Sequence, residues 1–110
     1  GIETQTLTPE VAKALSLPVK QGAVVARISR GGPAHRAGIR GGDRRVEIGN
    51  AIFIIGGDII VAIDDEPFET AQQFHERLMS KKPGETIKLT LWRNKKKHAL
   101  VVELGERPRG

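Results

Sequence analysis

Cysteine and tyrosine are absent, and the aromatic set is confined to Trp92, Phe53, Phe68 and Phe74. Without a thiol, disulfides, thiolate nucleophiles and cysteine metal sites are excluded, and the redox compartment is left undetermined. With so few rings, a groove that stacks nucleic-acid bases is not expected. No run approaches the roughly 20 apolar residues of a membrane-crossing helix. No leader pattern opens the chain either: Gly1 runs straight into Ile2, Glu3 and Thr4. That abrupt strand-like start and the polar tail at residues 105–110 lead us to expect a domain excised from a longer protein.

Catalytic constellations are missing too. His35, His75 and His98 are far apart and lack metal-motif spacing. Ser16, Ser29 and Ser80 are the only serines, and none sits in a Gly-x-Ser-x-Gly elbow. Asp64, Asp65 and Glu66 do not match a calcium loop, so an exposed turn is expected there. The glycine pairs lead into neither a P-loop nor a dinucleotide fingerprint. No catalytic residue, metal site or cofactor is therefore expected.

The chain has 110 residues, 38% of them hydrophobic, which suits one domain with one core. Its 18 basic and 13 acidic residues give a net charge of +5. Such a balance allows general attraction to anionic surfaces and says nothing about fold. The densest basic stretch, Arg93 to Lys97, is either a solvated hairpin tip or a phosphate or lipid contact.

Local patterns place the elements. Ile2 to Leu7 is mostly polar and alternates weakly, as an edge strand does. Thr8-Pro9-Glu10 starts a short helix with Val11, Ala14 and Leu15 on its apolar face, stopped by Leu17-Pro18. Ala23 to Ile28 is a buried strand, and Pro33 to Ala37 a helical turn capped by Gly38. Two apolar strands follow, Ala51 to Ile55 and Ile59 to Ile63, and then a turn from Asp64 to Pro67. Thr70 to Ser80 is the clearest helix, with Ala71, Phe74 and Leu78 at helical spacing. A final hairpin alternates through Ile87, Leu89 and Leu91, turns over Asn94 to Lys97, and returns through Leu100, Val102 and Leu104. Gly41-Gly42-Asp43 recurs as Gly56-Gly57-Asp58, and between the two lies a hairpin across Gly49-Asn50.

The run from Gly32 to Asp43, with Asp58-Ile59-Ile60-Val61-Ala62-Ile63-Asp64 after it, resembles the core signature of PDZ domains. The order of elements over nearly the whole chain is similar to the PDZ domains of HtrA/DegP-like serine proteases. The resemblance implies an α+β fold, a partly open antiparallel sandwich or barrel of about five to six strands. Two main helices, one short helical turn and an inserted hairpin at about 43–57 complete it, in a single domain spanning 1–110.

It also implies a peptide-binding domain, non-catalytic itself, that adds hydrophobic C-terminal or extended segments as an extra strand. One wall would be Gly1, Ile2, Glu3, Thr4 and Thr6, with the carboxylate held by backbone amides at Gly1 and Ile2. The other would be Ala71, His75 and Leu78, with Phe74 turned to the core. Taken alone, Ile2 reads first as an ordinary core residue, and His75 is equally an exposed helix residue or a ligand contact. Implied partners are peptide or protein C-termini, an attached protease domain and, in a full-length protein, further copies of the chain. The implied location is periplasmic or otherwise extracytoplasmic; no nucleic-acid partner and no membrane span are expected. Two features depart from the family: the residues that complete the carboxylate loop would precede Gly1, and the hairpin at Arg44 to Ile55 is extra. That hairpin either covers a sheet edge or contacts a neighbour. In the second case the domain serves assembly and binds no free peptide.

Overall fold

The computed structural model describes residues 1–104, so the polar tail at 105–110 lies outside the described residues. In chain order the elements are β1 (Ile2–Leu7), α1 (Pro9–Ala14), β2 (Gly22–Ile28), α2 (Pro33–Ala37), β3 (Arg44–Ile48) and β4 (Ala51–Ile55). There follow β5 (Ile59–Ile63), β6 (Glu66–Pro67), α3 (Ala71–Met79), β7 (Thr86–Arg93) and β8 (Lys96–Glu103). An antiparallel sheet runs β1-β2-β5-β7-β8, with β6 paired to β5 beside that path. Strands β3 and β4 form a separate two-stranded hairpin. The sheet is not closed, and the expected α+β class is what forms.

The helix ends follow the side chains that can satisfy them. Thr8 Oγ1 accepts from the Val11 amide at 3.2 Å, and Pro9 occupies the first turn, where a missing N–H costs nothing. Thr70 Oγ1 does the same for Gln73 at 3.1 Å at the head of α3. Helix α2 ends at Gly38 with φ +90°, a left-handed conformation that suits glycine.

Central strands are buried on both faces, so two apolar clusters form. Ala23, Val25 and Ile60 pack with Phe68, Phe74 and Leu91 on the face covered by α3. Val24 and Ile59 pack on the other face with Val11, Phe53 and Ile55, under α1 and the β3–β4 hairpin. Each such large side chain, fully buried, contributes about 1.5–3 kcal/mol. Phe74 is the α3 anchor expected from its spacing, its ring centroid 5.4 Å from that of Phe68.

Two local expectations are corrected. Helix α1 buries Val11 and Ala12, whereas Ala14 is exposed. With six residues the helix is too short for its period to select a face, and the hairpin above it decides instead. The last hairpin turns over Asn94 and Lys95 alone, both at positive φ, while Lys96 and Lys97 already belong to β8. Solvent-facing strand lysines look like a loop in the sequence.

The repeated Gly-Gly-Asp marks a crossing of two chain segments. A Cβ at Gly57 would lie 2.5 Å from the Gly41 carbonyl carbon and 2.6 Å from the Gly42 nitrogen. One at Gly42 would lie 2.8 Å from the Ile54 and Ile55 carbonyl oxygens. Only glycine lets the backbones approach this closely. At the crossing Asp58, fully buried, accepts the Arg40 amide at 2.8 Å and a bidentate pair from Arg93 at 2.7 Å each. Arg93 also donates to the Gly38 carbonyl at 2.8 Å. The guanidinium's pKa is raised above its ordinary value, because Asp58 hydrogen-bonds its protonated form. This one pair ties β5, β7 and the end of α2 together.

Candidate functional site

Strand β1 forms one edge of the sheet, and α3 lies alongside it. Alternation divides its side chains. Thr4 and Thr6 point toward α3: Thr4 Oγ1 lies 3.0 Å from His75 Nε2, and Thr6 Oγ1 accepts the Ala71 amide at 2.9 Å. Ile2, half-buried, packs against the α3-side core. Glu3 and Gln5 point the other way. Glu3 pairs loosely with Arg27 at 3.9 Å, both well exposed. Gln5 donates to the Ile52 carbonyl at 2.8 Å and accepts the Ile54 amide at 2.9 Å, bridging β1 to β4.

Backbone directions alternate in the same way. The Gly1 carbonyl accepts the Ser29 amide at 2.8 Å, and the Val25 amide turns to the carbonyl of Asp58, just before β5, at 2.9 Å. Since Thr4 lies opposite Val25, across an irregularity between Glu3 and Thr4, it too makes no ladder bond to β2. The N–H and C=O groups of Ile2, Thr4 and Thr6 thus face the open edge, on the side of α3. An extended segment laid along β1 would meet those groups.

At the Gly1 end of this edge lies an apolar cavity of about 180 Å³, lined in part by Ile2, Ile39, Phe74, Leu78 and Leu104. Ala71, His75 and Leu78 form the half-buried stripe of α3, and the His75 ring meets Phe74 edge-on at 5.5 Å. The sequence-derived residues therefore gather along one β1/α3 cleft, except that the Glu3 side chain leaves it. Pro33, Ala34, Ile39 and Val102 also line the cavity and were not foreseen as site residues. They arrive from α2, the loop after it and β8, and nothing local marks such partners. Among the described residues no cluster of three or more His, Cys, Asp or Glu side chains could hold a metal.

A cleft between an edge strand and a helix, ending in an apolar cavity, can take an extended peptide. The sequence profile of the PDZ domain family matches residues 1–104. A probable periplasmic DegP-like serine endoprotease of Rhizobium meliloti (strain 1021) is 29% identical over 98% of this chain and 18% of its own length. The periplasmic pH-dependent serine endoprotease DegQ of Escherichia coli (strain K12) is 28% identical over 94% of this chain and 20% of its own. The chain thus spans about a fifth of the curated relatives it matches. Among solved structures, the HtrA-type protease AlgW with decapeptide is 32% identical, with a TM-score of 0.70 over all of this chain and 29% of that one. The HtrA3 PDZ domain bound to a phage-derived ligand is similar in fold, with a TM-score of 0.68 at 21% identity over 94% of this chain and 80% of that one. Fold, cleft and profile agree, and the chain belongs to the PDZ domain family, with the PDZ domains of HtrA-type and DegP-like serine proteases as its relatives.

Proposed function

We propose that this chain, a single domain over 1–110, recognises extended peptide segments, foremost those with a free apolar C-terminus, by strand addition to β1. The outward backbone groups of Ile2, Thr4 and Thr6 would pair with the peptide, and backbone amides at Gly1 and Ile2 would hold its carboxylate. Ala71 and His75 would flank the peptide, and its last side chain would enter the cavity beside Ile2 and Leu78. The observation that carries this reading is the coincidence of an edge unpaired among the described residues with an apolar cavity at its Gly1 end. Two relatives solved with peptide ligands, AlgW and the HtrA3 domain, support it by analogy.

The domain would serve as the substrate-recognition or regulatory module of an HtrA/DegP-like serine endopeptidase, acting in the periplasm as its relatives' names indicate. The chemistry of cleavage belongs to an attached protease domain; this chain supplies selection. Titration of a short peptide ending in a free valine or leucine, followed by amide NMR, tests the reading. Shifts should concentrate at Ile2 to Thr6 and Ala71 to Leu78. Shifts confined to other faces would refute it.

A further inference from the structure

The β3–β4 hairpin has two long edges with different fates. On the β4 edge, the Ile52 carbonyl and the Ile54 amide are both captured by the side chain of Gln5. These two residues therefore direct their backbone groups away from β3. In the hairpin register Ile52 lies opposite Glu47 and Ile54 opposite Arg45. Residues opposite one another in an antiparallel pair either both face inward or both face outward. Arg45 and Glu47 consequently direct their N–H and C=O groups away from β4, to an edge that pairs with no other strand among the described residues. Both side chains are exposed, and neither forms an ion pair within the described residues.

We propose that this edge pairs with β3 of a second copy of the chain, antiparallel, about a two-fold axis at Val46. Centred there, each Arg45 falls opposite the other copy's Glu47, and each Glu47 opposite its Arg45. The four outward backbone groups on each copy are matched in the same register. A two-fold contact must be self-complementary, and Arg45-Val46-Glu47 is so in both charge and hydrogen bonding. The row across the joined hairpins runs Ile52, Glu47, Arg45 of the second copy and its Ile54. Ile52, 49% exposed, thereby flanks the ion pair instead of facing water alone. An acidic peptide fits less well, because Glu47 would oppose it. The contact is small beside the roughly 1,600 Å² of a standard interface and therefore weak in isolation. It gains strength where copies are tethered together. This surface is separate from the β1 cleft, and the inference stands whether or not that cleft binds peptide.

The test is a dilution series of the 110-residue chain, followed by amide NMR and sedimentation velocity. Concentration-dependent shifts at Arg45 and Glu47, with a rise in mean mass, are expected. Arg45→Glu alone sets carboxylates against carboxylates and should weaken association by roughly tenfold or more. Glu47→Arg alone sets guanidinium against guanidinium and should do the same. Arg45→Glu with Glu47→Arg restores both ion pairs and should restore association. Circular dichroism checks that each variant folds. A chain monomeric at every concentration overturns the proposal. So does a double variant no better than the singles, or association shifts confined to Ile2 to Thr6.

Discussion

Thr4 Oγ1 and His75 Nε2 meet at 3.0 Å, joining the edge strand β1 to the helix α3 that faces it. The two residues are 71 positions apart, and their contact links the two walls of the cleft. A net hydrogen bond of this kind is worth about 0.5–1.5 kcal/mol. Thr4→Val and His75→Ala, singly and together, should therefore show a coupling energy of that size in urea unfolding of the unliganded domain. Strictly additive losses would mean that the pair does not hold the cleft.

Asp58 and Arg93 form the most consequential ion pair. Asp58 is fully buried, while the Arg93 side chain is 17% exposed. Removing only the carboxylate leaves a guanidinium without its partner, and Asp58→Ala should cost about 3–5 kcal/mol. Arg93→Met in the Asp58→Ala background should add much less than it does alone. Equal losses in both backgrounds, by chemical denaturation, would contradict the arrangement.

Gly57 and Gly84 should part company on substitution by alanine. At Gly57 the new methyl would meet backbone atoms of Gly41, Gly42 and Arg40 at 2.5 to 2.7 Å, none of which can swing aside. A loss of at least about 3 kcal/mol is expected. At Gly84, with φ +88° and open space around it, only the left-handed conformation is strained. The cost there should be about 1–2 kcal/mol.

Acid should weaken the β5–β6 turn through Asp64. Its carboxylate accepts the Lys88 amide at 2.9 Å and lies 3.3 Å from Lys81 Nζ. Chiefly that amide bond holds its pKa below the ordinary aspartate value. A depressed folded pKa means stability that is present above the unfolded value and lost as pH falls through the folded one. Asp64→Asn should thus flatten the decline in stability below about pH 4, and only modestly, because the group is at the surface. An unchanged decline would assign it to other carboxylates.

Capping residues and strand alternation were legible because each acts on its own neighbours, whereas the glycine repeat showed a hairpin but not the crossing that Gly57 makes with Gly41. Thr8, Thr70, Gly38 and the Phe74 anchor took the roles their local patterns indicated. Partners brought together by topology were not legible. Gln5 carries no sequence signal for clasping β4, 47 and 49 residues away, yet that clasp seats the hairpin. Nor could spacing pair Asp58 with Arg93 or bring Ile39 and Val102 to the cavity wall. Such contacts depend on how the whole sheet is ordered, and no window of a dozen residues contains that information.

The most direct test is calorimetric titration with two peptides identical except at the end, one a free carboxylate and the other an amide. Strand pairing plus one apolar pocket should give the free acid a micromolar affinity, roughly −8 kcal/mol. Amidation should weaken it by about tenfold or more, as a charge-assisted bond is lost. Leu78→Ala should lower the affinity of both peptides. Equal affinities for acid and amide, or binding by neither, would contradict carboxylate capture at the Gly1 end of β1.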